Sequence, residues 1–92
     1  MNRGAGAEIR KLVGRCVAVA RIGAGLTQEE AAAIARIDYK RWQTIERGAA
    51  NPTVDTLSRI ASAFGIGFFE LVGPRTLWAA ERARAYGTRP RR

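Results

Sequence analysis

Histidine is absent from this chain of 92 residues, and cysteine occurs once, at Cys16. Without imidazole there is no side chain poised to move protons near neutrality, and the commonest metal ligand is missing. One cysteine forms no internal disulfide, and no grouping of cysteine with carboxylates has the spacing of a metal site. Catalysis therefore finds little support in the sequence, and no enzyme is expected. The glycine pairs are also incomplete. Gly4/Gly6, Gly23/Gly25 and Gly65/Gly67 are followed by Ile9, Gln28 and Glu70 where a dinucleotide fingerprint needs its third glycine, and none follows a strand pattern. Long apolar runs are lacking too, so no membrane span is expected, and Arg3, Glu8, Arg10, Lys11 and Arg15 break up the region where a signal peptide needs its apolar stretch. With Cys16 on the apolar face of a helix pattern, these absences fit a soluble protein of a reducing cytoplasm.

Acid is scarce relative to base. Eight Asp and Glu face sixteen Lys and Arg, giving a net charge of +8, and fourteen of the sixteen cations are arginine. The planar guanidinium fork suits phosphates and base edges, so the expected partner is polyanionic. Residues 75–92 hold most of the excess, +5 of the total. Apolar residues at 47% are near the globular average, enough for one domain with a modest core but not for the layered clefts of most enzymes.

No strand pattern appears anywhere in the chain. Residues 1–7, with Arg3, Gly4 and Gly6, read as a flexible basic arm. From Glu8, the positions Ile9, Leu12, Val13, Cys16, Val17 and Ala20 form the stripe of an amphipathic helix ending near Ile22. Thr27 with Glu30 is a capping box and opens a second helix over 28–35. Asp38 is a further N-cap and opens a third over 39–47, closed by Gly48. Two short helices across a tight turn make a helix-turn-helix pattern. Asn51-Pro52 turn chemistry then leads to a fourth helix capped by Thr53, striped at Val54, Leu57, Ile60, Ala61 and Phe64. A fifth, short helix follows at 67–72, and Gly73-Pro74 closes the compact unit of residues 8–74. Residues 75–92 form a basic extension, part helical over 76–86 and disordered beyond Gly87.

At this point the chain resembles the lambda-repressor-like, five-helix domains of phage repressors and the XRE-type bacterial regulators. The resemblance spans about 9–72 and rests on LTQEEAA at the start of the second helix, IERG at 45–48, and NPTVDTLSRIASAFGI leading into the fifth. It implies an all-α, compact five-helix bundle in which the second and third helices form the helix-turn-helix, with a sixth C-terminal helix as an addition. By the same resemblance, Ala32 is the small residue that lets those two helices approach, while Trp42 and Ile45 pack inward. Tyr39, Lys40, Gln43 and Thr44 would face base edges in the major groove, with Lys40 suited to guanine and Thr44 to a thymine methyl or a base acceptor. Gln28 would hydrogen-bond a backbone phosphate at a helix N-terminus. Arg47 and the backbone amides of Ala49, Ala50 and Asn51 would add further phosphate contacts, and Arg41, nearer the flank, would serve a phosphate or a base. Arg21 and Glu46 would form an ion pair tying the first helix to the third.

Two departures from the family pattern stand out. Arg36 occupies the turn position where the family has glycine, at a cost of about 1 kcal/mol if φ is positive there. Trp42 replaces a small aliphatic residue, so either the third helix is displaced outward or a neighbouring pocket is enlarged, with the alanines of the second helix as a source of that room.

The functional expectation is a sequence-specific double-stranded DNA-binding transcriptional regulator, a dimeric repressor or autoregulator acting on a palindromic operator. Of Phe68, Phe69, Leu71 and Val72 some must enter the core, but four large apolar residues in so short a helix leave one or two outside it, so a homodimer is expected through Phe68, Phe69 and Val72, extended by Leu77 and Trp78. The alternative is an antitoxin-type protein that binds a toxin through residues 75–92 and autoregulates its operon. A third reading is a non-specific binder that uses charge alone.

Overall fold

The computed structural model describes residues 4–73 together with 75, 76, 78, 79 and 82. Among the described residues up to 73, five helices follow in chain order: α1 (Ala5–Gly23), α2 (Gln28–Ala35), α3 (Tyr39–Glu46), α4 (Val54–Ala63) and α5 (Phe68–Leu71). Side-chain capping sets three of the starts. Thr27 Oγ1 accepts from the Glu30 amide at 3.1 Å while the Glu30 carboxylate accepts from the Thr27 amide at 2.9 Å, a complete capping box for α2. One oxygen of Asp38 accepts from the amides of Lys40 and Arg41, at 3.1 and 3.3 Å, and opens α3. Thr53 Oγ1 accepts from the Thr56 amide at 3.0 Å and opens α4. These caps satisfy orphan N–H groups that the helices themselves leave unpaired.

The core lies between α1, α2, α3, α4 and α5, with Val17, Trp42, Ile45, Ile60 and Leu71 all sealed from solvent. Trp42 is at its centre, 0% exposed, meeting the ring of Phe64 edge to face at 6.0 Å. Ala31, Ala32 and Ala35 belong to the same cluster, so α2 contributes a face of methyl groups where bulkier side chains would compete with the indole for volume. At about 25 cal/mol per Å² over a surface of roughly 150–250 Å², burying that ring contributes roughly 4–6 kcal/mol to holding α3 in the core.

Two glycines let α1 lie close against the C-terminal end of α3. A methyl at Gly14 would stand 2.5 Å from the carbonyl oxygen of Ile45 and 2.6 Å from that of Glu46. At Gly48, where φ is +76°, it would stand 2.6 Å from Lys11 Cα. Both contacts are with backbone, which cannot swing aside. The apolar stripe of α1 draws attention to its large residues, yet a missing side chain sets the spacing between the helices.

Three expectations need correction. α1 begins at Ala5 rather than Glu8 and so takes in the last residues of the expected arm, 5–7; Arg3 lies outside the described residues. Ile9 is 58% exposed because the buried positions of α1 begin only at Gly14, so the first turns of the helix extend past the core. Val54 is 64% exposed as the first residue of α4, whose buried face starts one turn later at Leu57. Of the helix expected over 76–86, Thr76, Trp78, Ala79 and Arg82 are helical, and Thr76 Oγ1 donates to the Glu70 carbonyl at 2.9 Å. Leu77, Tyr86 and the end of the chain lie outside the described residues.

Candidate nucleic-acid interface

α3 is divided along its length. Trp42 and Ile45 anchor one side in the core, at 0% and 1% exposure, which turns Tyr39, Lys40, Arg41, Gln43 and Thr44 away from it. Tyr39, Lys40 and Arg41 are exposed, while Gln43 and Thr44 are half-buried. Successive turns brace one another. Gln43 Nε2 donates to the Tyr39 hydroxyl at 3.2 Å, and Thr44 Oγ1 donates to the Lys40 carbonyl at 2.9 Å. The Thr44 hydroxyl is thereby committed to the backbone, which leaves its methyl as the group best placed for an apolar contact. Among the described residues the Lys40 and Arg41 side chains have no partner, so their charges are available to an external anion.

The turn between α2 and α3 is made by Arg36, the one described residue other than glycine with positive φ, at φ 60° and ψ 48°. Its amide donates to the Ala33 carbonyl and that of Ile37 to the Ala32 carbonyl, closing α2 in the left-handed manner that glycine adopts most easily. The turn therefore takes a conformation that suits glycine, with a side chain added. Arg36 is exposed.

Behind α3, one carboxylate gathers three elements. Glu46 Oε2 accepts from Arg21 Nε at 2.6 Å and from Trp42 Nε1 at 2.7 Å. Its Oε1 accepts from Gln28 Nε2 at 2.9 Å and from Arg21 Nη2 at 3.2 Å. The Glu46 and Arg21 side chains are 7% and 15% exposed, so the pair is largely withdrawn from water, and four hydrogen bonds offset the desolvation of the carboxylate. Arg21 also donates through Nη1 to the Leu26 carbonyl at 2.9 Å, fixing the loop ahead of α2.

Family resemblance pairs Arg21 with Glu46, while the sequence reading gives Gln28 to a phosphate and Trp42 to packing and pairs neither neutral donor with the carboxylate. Trp42 was assigned to packing alone, although an indole four residues before a glutamate on one helix is a spacing that permits the bond. No local pattern announces the link from Gln28, which lies on another helix. On the other flank of α3, Arg47 and Asn51 are exposed and Ala50 is half-buried. The Ala49 amide is already bonded to the Thr44 carbonyl at 3.0 Å, which removes it from the expected set of phosphate donors. Among the described residues the amides of Ala50 and Asn51 carry no such bond.

At the far end, Phe69 is 82% exposed and its ring meets Phe68 edge to face at 5.0 Å. Phe68 and Val72 pack partly against the core and Leu71 is sealed within it, so the apolar excess of α5 is concentrated on Phe69. Trp78 is 63% exposed, with the Arg82 guanidinium 4.7 Å from its ring centre.

A family model described as helix-turn-helix matches residues 17–71, which takes in the whole of α2, α3, α4 and α5. An uncharacterized HTH-type transcriptional regulator of Sinorhizobium fredii is 45% identical over 67 residues, covering 73% of this chain and 87% of the relative. Among solved structures, the clp gene regulator ClgR of Corynebacterium glutamicum superposes with a TM-score of 0.71 at 19% identity, over 85% of this chain and 81% of that one. A hypothetical transcription factor from Neisseria, NHTF, gives 0.67 at 24% identity, over 83% of each chain. With capped helices of the right length meeting across the Arg36 turn, and with the match running through all four helices that follow α1, the chain belongs to the XRE-type helix-turn-helix family of transcriptional regulators.

Proposed function

We propose that this protein is a dimeric repressor that reads a palindromic operator through α3. The observation that carries the reading is the division of α3. Its buried Trp42 and Ile45 hold the helix rigidly, while Tyr39, Lys40, Gln43 and Thr44 present polar and cationic groups outward. Lys40 donates to guanine O6 and N7, and the Thr44 methyl meets a thymine methyl. Gln43 and Tyr39, already bonded to each other at 3.2 Å, act as a unit against neighbouring base edges. Gln28 at the start of α2 and the free amides of Ala50 and Asn51 after α3 bind phosphates on either side, with Arg41 and Arg47 as flanking cations. These contacts set the register of the helix in the groove, and the bases set the preference.

One helix of this length reads few base pairs. Two copies related by a two-fold axis read twice as many, in half-sites about 34 Å apart. The exposed Phe69, with Phe68 and Val72 beside it, is the surface that supports a second copy, and Leu77 and Trp78 follow it in the chain. Such a dimer bound across a promoter blocks it. Selection of binding sites from random duplex DNA tests the reading. An inverted repeat with half-sites one helical turn apart is expected, and recovery of unrelated sequences with no shared motif would sink it.

A further inference from the structure

We infer that Glu46 is a positioning residue for DNA binding, fixing which end of the Gln28 amide faces the phosphate backbone. The inference rests on the reading of Gln28 as a phosphate contact. A glutamine amide has two unlike ends, and a phosphate oxygen, being only an acceptor, can use only the N–H end. Gln28 projects from the first position of α2, where nothing in the local helix geometry selects one orientation of the amide over the other.

Glu46 makes the selection. An ionised carboxylate also only accepts, so the group facing it must be Nε2, found 2.9 Å from Oε1. One N–H of that nitrogen is spent on Glu46 and the other remains for an anion. With the amide reversed, Oε1 would meet the carboxylate oxygen and, at the DNA, the phosphate oxygen, both repulsive.

The carboxylate is itself held by donors from two further directions. Arg21 grips both of its oxygens from α1, and Trp42 Nε1 binds Oε2 at 2.7 Å from one turn earlier in α3. Trp42 thus does more than fill the core. The indole in place of a small side chain supplies a fixed donor that closes the last open direction on Oε2, so Oε1 is held toward Gln28. The phosphate anchor on α2 and the reading helix α3 are in this way locked to a common point, and their relative register on DNA follows from it.

A double-mutant cycle on duplex binding tests the inference, using the full chain with Gln28→Ala and Glu46→Gln, singly and together, against the selected operator and a scrambled duplex. Gln28→Ala is expected to weaken both duplexes about tenfold, the size of a hydrogen bond to a charged group. Glu46→Gln should cost nearly as much alone and almost nothing further once Gln28 is alanine. Where Glu46→Gln lowers the folded fraction, Trp42→Phe takes its place, since it keeps an aromatic ring in the core and removes only the N–H donor; it too should weaken binding in the presence of Gln28 and not in its absence. A purely structural Glu46 would give losses that multiply in the double variant, and that outcome overturns the inference while leaving DNA binding through α3 intact. If Gln28→Ala changes neither duplex, the phosphate role of Gln28 is itself wrong and the inference falls with it.

Discussion

Arg36 and Gly14 are two residues at which the backbone rather than the side chain sets the constraint. Arg36 holds φ at 60°, a conformation that costs a residue with a Cβ about 1–2 kcal/mol. Glycine removes that cost but gives back roughly 0.4–1 kcal/mol through the greater freedom of its unfolded chain. Arg36→Gly is therefore expected to stabilise the fold by roughly 0.5–1 kcal/mol in denaturant unfolding, with Arg36→Ala near neutral. Equal stability of Arg36→Gly and the parent would mean that the strain is relieved elsewhere. Gly14 works in the opposite sense. A methyl there lies 2.5 Å from the Ile45 carbonyl oxygen, so Gly14→Ala must push α1 away from α3, at a cost of about 1–3 kcal/mol read as a lowered melting midpoint. The first of these residues is visible in the sequence, because the family it resembles has glycine at that turn position and glycine there points to a positive φ. The second is not, because the chain around Gly14 reads as an ordinary helix and only the packed partner shows why a side chain is excluded.

At the scale of the elements, the starts of α2, α3 and α4 were legible, since each depends on a cap that acts within three residues. Thr27, Asp38 and Thr53 all accept the amide bonds their positions imply. The cap on α3 has a further consequence. Asp38 places a carboxylate at the N-terminus of the helix proposed to enter the groove, where it neutralises amides that an anion would otherwise use. Asp38→Ala is expected to cost about 1 kcal/mol of stability by thermal or chemical unfolding. No change in stability would mean that solvent caps the helix as well as the carboxylate does. Burial at the ends of helices was less legible. Ile9 and Val54 fit a 3.6-residue stripe yet stand outside the core, because periodicity gives the direction a side chain takes and not how far the neighbouring helix extends to meet it. The hydrogen-bond cluster at Glu46 was half legible for the same reason: Arg21 and Glu46 came from family resemblance, whereas Gln28 and Trp42 become its partners only when three helices meet.

For the whole molecule, charge and apolar surface divide the proposed labour. The cations of α3 and its flanks are exposed and, in the proposed reading, meet a polyanion, while the exposed Phe69 is the group proposed to meet a second copy. Because Phe69 is 82% exposed, Phe69→Ser should leave the fold of one copy nearly as stable as before while weakening the dimer, which sedimentation across a concentration series would register as a shift toward monomer. An unchanged distribution would place the dimer surface elsewhere. The arginines of residues 75–92 are proposed to add affinity without preference, so removing them is expected to weaken binding to any duplex alike and to flatten its dependence on salt. The central claim concerns α3, and the most direct measurement compares affinity for the selected operator with affinity for a scrambled duplex at one salt concentration, for the parent chain and for Lys40→Ala and Thr44→Ala. Each substitution is predicted to reduce the discrimination between the two duplexes by roughly 1–3 kcal/mol, chiefly through weaker operator binding. Discrimination that survives both substitutions would contradict the assignment of α3 as the reading helix.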